Sequence, residues 1–400
     1  LFAARSRAHL LAGDLAHAES DIQAGLALSP SSHELQCAQA DLHRQQGRID
    51  EAKHLCLQVV KSANTALRGN ALNVLGATLV DAGSPKEASK YLKEALTLHQ
   101  RLGALRPMGF TLGQLATVHH LAGDLAAAEE HYNRALDVFG EIDDRRRQAR
   151  TLGHLSSLAR ERGDIDLALT RLQRAGKIAR ETGYARLEAG FLDNMGNLLA
   201  QQGRLDEAER YYRQTLDVLR RMGQLRAQGI VLGHLAFVPW ARGNPAEAQQ
   251  LLEEALAINR QCQSKRFEGQ ALINLGHLAL SQFQCKEADV HLTAAISLLR
   301  QVGDKRMLGQ AMTRYGASLA IQGNITASES TFAEAQRLHE SWSSLDSAYL
   351  TLAALLDVAK GRAGIDAEGL AKAARHLKQV EESGTYLDKF LARLLADALE

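Results

Sequence analysis

A glycine that returns every forty residues constrains this chain more than any other feature. Each copy precedes a polar residue and then an acidic, alanine-containing stretch. The copies are Gly83, Gly123, Gly163, Gly203, Gly243 and Gly323, and Phe283 stands where the seventh would be. A fixed period of this length indicates one structural unit, repeated, in which each copy buries its apolar face against its neighbours.

Two columns of small residues keep the same period. We call each recurring glycine, and Phe283 in its place, a mark. Five residues after each mark stand Ala88, Ala128, Ala168, Ala208, Ala248, Ala288 and Ser328. Seven residues before it stand Gly76, Ala116, Ser156, Gly196, Ala236, Gly276 and Gly316. Apolar residues recur at helical spacing on both sides of the mark. The pattern therefore predicts two antiparallel helices per unit, which cross at the small residues, and a turn at the glycine, which tolerates the left-handed backbone of a helix end.

These units resemble the tetratricopeptide repeat, which has a Leu and a small residue in its first helix, a turn glycine, and then Ala, an aromatic, Ala and Pro. The best matches are residues 109–136 and 191–216. Two earlier marks, Gly13 and Gly47, are 34 residues apart, and Pro30 closes the first unit. The later units resemble the longer repeats of Leu-Gly-Asn-rich adaptors, kinesin light chains and bacterial repeat regulators.

The resemblance implies an all-α, right-handed α-α superhelix of about nine helix-turn-helix units. We expect two short units over residues 1–66, the first of them truncated, and seven longer ones over 67–344. A degenerate repeat and capping helices follow over 345–400, because a solenoid must cover its last apolar face. If Gly13 occupies the turn position, Leu1 lies inside the first helix of its unit. Domain boundaries rarely fall inside a helix, so we expect this chain to be a segment of a longer protein.

Composition excludes several functions. The chain has 47 basic and 46 acidic residues and 5% aromatics, which argues against a nucleic-acid partner held by bulk charge and base stacking. No apolar run approaches the roughly 18 residues of a membrane span. Cys37, Cys56, Cys262 and Cys285 have no C-x-x-C spacing, so they are interpreted as small apolar residues in a reducing compartment. A cytoplasmic location is expected.

Catalytic and cofactor signatures are lacking in the sequence. Neither a phosphate-binding glycine loop, a dinucleotide fingerprint, a zinc-protease motif nor a nucleophile elbow occurs. His119 and His120 are adjacent, so on a helix they diverge and cannot share a metal. We expect no enzyme activity, no cofactor and no metal in this chain.

The family resemblance implies that the first helices line a concave groove which binds extended peptides or helices. The positions that project inward lie three, six and nine or ten residues before each mark, and we call them the inner face. Its candidate partner-binding residues are Gln114, Thr117, His120, His154, Ser157, Arg160, Asn194, Asn197, His234, Phe237, Trp240, Asn274 and His277. The alternative is that they are merely solvated helix surface.

Pro239 interrupts a predicted first helix. Because proline removes a helix hydrogen bond, a kink is expected there, which would open the groove and expose Trp240. Trp240 is then either a binding anchor or a repacked core residue. Trp342, in a Ser-rich link, is interpreted as core.

A column of arginines also keeps the forty-residue period. It comprises Arg106, Arg146, Arg186, Arg226, Arg266 and Arg306. Placed just past a helix end, each could interact with the carbonyl groups there and pair with acids such as Glu188, Asp143 or Asp144. The alternative is a basic stripe that binds an acidic partner.

The function predicted from the sequence is a non-catalytic scaffold that binds a partner protein or peptide, as the regulatory part of a larger bacterial signalling protein. One alternative is a segment of a multidomain enzyme (a kinase, cyclase or ATPase) whose catalytic domain lies elsewhere in the same polypeptide and is a possible partner. The other is a sensor of peptides or small molecules.

Overall fold

The computed structural model describes residues 1–12, 14–62, 64–340, 347–383 and 386–399, and these residues form α-helices joined by short turns. None of the residues in these ranges lies in a β-strand. The expected all-α fold class is confirmed. Two residues interpreted above, Gly13 and Trp342, lie outside the described residues. The chain divides into two compact units, Leu1–Tyr184 (unit 1) and Ala185–Glu400 (unit 2).

Unit 1 consists of five helix pairs in its described residues. Its helices are α1 (Phe2–Ala12), α2 (Leu15–Leu28), α3 (His33–Gln45), α4 (Ile49–Ser62), α5 (Thr65–Asp81), α6 (Pro85–Arg101), α7 (Leu105–Leu121), α8 (Leu125–Glu141), α9 (Arg145–Glu161) and α10 (Ile165–Glu181). The helices α2 to α4 have 13 or 14 residues, whereas α5 to α10 have 17 each. From α5 to α10, each forty-residue unit is thus two helices with three-residue turns.

Unit 2 continues the pattern with four more pairs, one of whose first helices is broken, and then three further helices within its described part. Its helices are α11 (Ala185–Gln201), α12 (Leu205–Arg221), α13 (Leu225–Leu235), α14 (Phe237–Ala241), α15 (Pro245–Gln261), α16 (Lys265–Leu280), α17 (Cys285–Val302), α18 (Lys305–Ile321), α19 (Ile325–Glu340), α20 (Ser347–Arg362), α21 (Gly369–Ser383) and α22 (Tyr386–Leu399).

The turn glycines have the left-handed backbone predicted for them. Gly123, for example, has φ 78°. The N–H groups of Gly123 and Asp124 donate at 2.9 Å to the carbonyls of His120 and His119, which closes the end of α7. Phe283 takes the same conformation with φ 58° although its Cβ disfavours it. The register of the turn is therefore set by the stacked helices and not by glycine alone.

The small-residue columns lie where paired helices cross, as predicted. An added Cβ on Gly196 in α11 would lie 2.6 Å from the ring of Tyr212 in α12. Ala168 and Ala208, five residues past their turn glycines, are fully buried. Larger side chains at these positions would push the two helices apart.

First helices lie on the inner side of each stack. Several successive first helices touch directly, as α5 does with α7 and α16 with α18. A second helix typically packs on its own first helix and on the next one, as α6 does on α5 and α7. Successive second helices such as α6 and α8 have no comparably close contact among the described residues. Where first helices touch, their inner-face positions are therefore on the more crowded side of the stack.

The last three helices extend the core of unit 2. Leu352 and Leu355 of α20 and Leu395 of α22 join the apolar cluster that contains Phe332 of α19. Helix α22 also touches α11. Among the described residues, no helix combines the length and the apolar character that crossing a bilayer requires.

Candidate functional site

The inner face of unit 1 is formed by α7 and α9. On α7, the hydroxyl of Thr117 lies 3.0 Å from that of Tyr132, and His120 is 2.8 Å from the carboxylate of Glu161. Gln114 is half-buried. These contacts hold the α7 side chains against α8 and α9.

The inner side chains of α9 include an imidazole that stays neutral. His154 stacks on Tyr132 with ring centroids 5.2 Å apart and an interplanar angle of 5°. Its pKa is lowered to about 4 by the surrounding protein and by the positive charge of Arg150 and His120. Ser157 donates to the carbonyl of Gly153, and Arg160 is exposed beside Glu161. His154 therefore presents one N–H and one lone pair at neutral pH.

A cavity of about 160 Å³ opens between α7 and α9. Its lining includes the predicted residues Gln114, Thr117 and His154. It also includes Phe110 and Arg150, which were not predicted and lie thirteen residues before their turn glycines. The inward positions were counted as three, six and ten residues before each turn glycine. Thirteen residues before it is the next position on the same helix face, so extending the count would have found both residues.

The inner face of unit 2 begins with the amides of α11. Asn194 is exposed, whereas Asn197 accepts a hydrogen bond from the Tyr212 hydroxyl at 2.8 Å and donates to Asp193 at 3.3 Å. His234 of α13 is 2.9 Å from the same Asp193. Asn194 is thus available to a partner, and Asn197 and His234 also tie helices together.

The helix that contains Pro239 breaks at Ala236, between α13 and α14. The break does not expose Trp240, although exposure was expected. Its indole N–H donates to the Ser281 hydroxyl at 3.0 Å, and its ring meets that of His277 edge-on at 4.8 Å. Trp240 is half-buried on the next helix pair, so the expectation of exposure is wrong. Its packing on Ser281 and His277 corresponds to the repacked alternative.

The remaining predicted residues of unit 2 separate into surface and core. Phe237 is half-buried and packs edge-on against Trp240, with centroids 6.5 Å apart. Asn274 is half-buried and accepts a hydrogen bond from Gln270 at 3.1 Å. His277 is only 7% exposed, and burial holds its pKa well below the ordinary value. The assignment of His277 to a partner-binding surface is therefore wrong, because the neighbouring Trp240 covers it.

The arginine column lies just after the turns that follow second helices. Each member is the second residue of a first helix, as Arg106 is in α7. Whether the column serves the carbonyl end of the preceding helix or forms a basic stripe stays a prediction. Arg266 pairs with Asp304 at 2.7 Å, and Arg146 lies over the ring of Tyr184 at 5.4 Å.

The four cysteines are free thiols. Cys56 and Cys285 are buried, and Cys37 and Cys262 are half-buried. Burial raises the pKa of Cys37 to about 11 and that of Cys56 further, so both are protonated and poor nucleophiles at neutral pH.

One group of metal-binding residue types was not anticipated. His9, Asp14 and His17 offer ligand atoms within 4.8 Å of one another, and no other described group of three or more His, Cys, Asp or Glu does so. Asp14 also accepts from the backbone N–H of His17 as the N-cap of α2. The cluster could hold a cation, but helix capping already accounts for its geometry.

Comparison with known proteins identifies the repeat. Models of the tetratricopeptide repeat match residues 68–102, 108–181 and 187–261. The matched residues are tetratricopeptide repeats. No curated protein is significantly similar to this tetratricopeptide repeat chain in sequence.

Solved structures share the fold at low identity. The apo form of RapI is 13% identical over 85% of this chain and 96% of its own, with a TM-score of 0.65. The apo quorum sensor NprR from B. thuringiensis is 16% identical over 84% of this chain and 97% of its own, with a TM-score of 0.61. A signal transduction ATPase with numerous domains and a tetratricopeptide repeat sensor, from Pyrococcus horikoshii, is 15% identical over 92% of this chain and 55% of its own, with a TM-score of 0.59.

Proposed function

We propose that this tetratricopeptide repeat protein is a non-catalytic interaction module that holds an extended peptide segment of a partner on its inner face. One column carries the proposal. Nine residues before each turn position stand Gln114, His154, Asn194, His234 and Asn274. Every member is an amide or an imidazole that can donate and accept hydrogen bonds, and so can pair with a peptide backbone of any sequence.

The accessibility of this column supports the proposal. Asn194 and His154 are exposed and Gln114 is half-buried, although all three lie on first helices, on the inner side of their stacks. A purely structural polar side chain in such a place would be paired with its neighbours, as Asn197 is with Tyr212. Similarity of fold to a quorum sensor and to a repeat sensor fits a binding function of this kind.

A second candidate function is the regulatory region of a larger signalling protein. The similarity to the signal transduction ATPase favours it, because this chain corresponds to 55% of that one and that protein carries a repeat sensor. The catalytic domain would then be a partner within the same polypeptide. Sequencing of the complete gene tests this: a kinase, cyclase or nucleotide-binding signature supports it, and a frame that holds only repeats contradicts it.

The peptide-binding proposal can be tested with a library of end-blocked random heptapeptides. Peptides selected on the full chain are measured by fluorescence anisotropy against the double variant Gln114→Ala/Asn194→Ala. Since a hydrogen bond contributes roughly 0.5–1.5 kcal/mol, loss of two should weaken binding by about tenfold.

The matched control is Gln173→Ala/Gln214→Ala, which removes two exposed amides from the second helices α10 and α12. It should leave affinity unchanged. Failure of the library to yield any binding peptide, or equal affinity for both double variants, would contradict the proposal.

A further inference from the structure

The cavity between α7 and α9 is lined by three arginines and by no carboxylate. Arg146, Arg147 and Arg150 all contribute to its wall, together with aromatic and hydroxyl side chains. They come from the segment RRRQAR at the start of α9. Such a concentration of one charge in a concave surface focuses a positive potential into the cavity.

The three arginines are not equivalent. Arg147 forms an ion pair with Asp144 and lies over the ring of Phe110 with its guanidinium carbon 4.1 Å from the centroid, so it is neutralised and fixed. Arg146 lies over Tyr184. Arg150 has neither an acidic partner nor a hydrogen-bond acceptor among the described residues. Arg150 is therefore the cavity arginine that forms no ion pair within the described residues.

Arg150 lies at the exposed side of the cavity beside two like charges. Desolvation and the positive charges of Arg146 and Arg147 lower its pKa. Like charges held close together repel one another, and an anion placed beside Arg150 relieves that repulsion.

The size and walls of the cavity restrict what the anion can be. A volume of about 160 Å³ is below the roughly 300–1,000 Å³ of pockets that enclose a small-molecule ligand. It suits a single side chain. Phe110, Tyr132 and Phe139 provide apolar walls for a short aliphatic stem, and the planar guanidinium of Arg150 can receive a carboxylate through two parallel hydrogen bonds.

We propose that this cavity is a specificity pocket for one acidic side chain, Asp or Glu, of the bound peptide, with Arg150 as the principal partner of its carboxylate. The inference rests on the proposed function, because it assigns the partner's chemistry at the same inner face. Arg146 supplies the second charge, and Gln114 and His154 hold the adjoining peptide backbone.

The test uses end-blocked heptapeptide libraries with random flanks and a central residue fixed as Glu, Gln, phosphoserine or Lys. Each is selected on the full chain, on Arg150→Gln, and on the control Arg134→Gln. Arg134 is exposed on α8, pairs only loosely with Glu130 at 3.9 Å, and does not line the cavity. Both variants change the net charge equally, and circular dichroism melting confirms that each is folded.

The full chain and Arg134→Gln should retain Glu peptides about tenfold more than Gln peptides, and Arg150→Gln should retain both equally. Peptide binding without any preference for Glu would overturn the inference and leave the proposed function standing. Retention of no library would overturn both. Stronger retention of phosphoserine than of Glu would overturn the assignment to a carboxylate.

Discussion

At the residue scale, the crossing points of paired helices leave room only for the smallest side chains. The columns that contain Gly196 and Ala208 could be predicted from the sequence, because their period is shared with the turn glycines. What the sequence could not show is which partner fills the space. In the structure it is the ring of Tyr212, whose nearest atom would lie 2.6 Å from an added Cβ on Gly196.

Gly196→Ala should lower the free energy of unfolding by about 1–3 kcal/mol, because the new methyl group overpacks the crossing against Tyr212. Gly190→Ala is the matched control on the same helix, where nothing lies within 4 Å of an added Cβ. It should raise the free energy of unfolding by about 0.5–1 kcal/mol through helix propensity. Urea unfolding followed by circular dichroism measures both, and equal effects would mean that the crossing is misplaced.

The candidate site was only partly predictable at this scale. The inward register correctly gave exposed or half-buried positions for Gln114 and Asn194, because it depends on helix geometry alone. It failed for His277 because burial there is imposed by Trp240 of the preceding helix pair. It missed Arg150 because the predicted inward positions stopped ten residues before each turn glycine, and Arg150 lies thirteen residues before Gly163.

At the scale of the helix and its turn, most joints of the longer repeats are three-residue turns, whereas four residues precede α17 and two precede α18. Glycine at the joint could be predicted from the sequence, but the left-handed backbone of Phe283 could not, since its Cβ disfavours that conformation. The same holds for the break at Ala236: Pro239 predicted a disturbed helix, and only the structure shows that Trp240 then packs onto Ser281.

Consecutive helix pairs are also joined by ion pairs. Glu129 of α8 binds Arg162, in the turn after α9, and Arg171 of α10. The same register recurs in unit 2, where Glu209 lies 2.6 Å from Arg242. The hydrogen bond from Arg171 and the charge and hydrogen bond of Arg162 hold the pKa of Glu129 below its ordinary value.

Glu129→Gln should therefore destabilise the protein at pH 7 by about 1 kcal/mol, since the carboxylate is partly exposed and its ion pairs are screened. A folded-state pKa below the unfolded value means stabilisation that is present above about pH 4.3 and lost as the pH falls through the folded pKa. The difference between the variant and the parent protein should accordingly shrink toward zero on acidification.

Urea midpoints at pH 7 and pH 3.5 measure this difference. Glu130→Gln is the control: the side chain of Glu130 is 67% exposed and lies 3.9 Å from Arg134, so the substitution should have little effect at either pH. If Glu129→Gln lowers the stability equally at both pH values, lost packing, and not the lost charge, is responsible.

At the scale of the whole molecule, the contacts of a repeat are mainly with the repeats on either side of it. In unit 2, α12 packs on α11 and α13, while α18 packs on α16, α17, α19 and α20. Such an arrangement behaves as a chain of nearest-neighbour interactions, so a defect loosens the structure locally. The number of helix pairs was predictable from the period, but the contact of α22 with α11 was not, because nothing periodic remains in that part of the sequence.

Ala208→Leu tests this nearest-neighbour behaviour. Ala208 is fully buried where α12 crosses α11, so a larger side chain should destabilise by about 1–3 kcal/mol. Amide hydrogen exchange measured by mass spectrometry should then speed up in α11, α12 and α13 while α18 and α19 keep their protection. The control Ala246→Leu, at an exposed position of α15, should change neither region. Faster exchange spread evenly over unit 2 would instead mean that its helices unfold as a single cooperative body, in which case a peptide bound to one repeat would stiffen all the others.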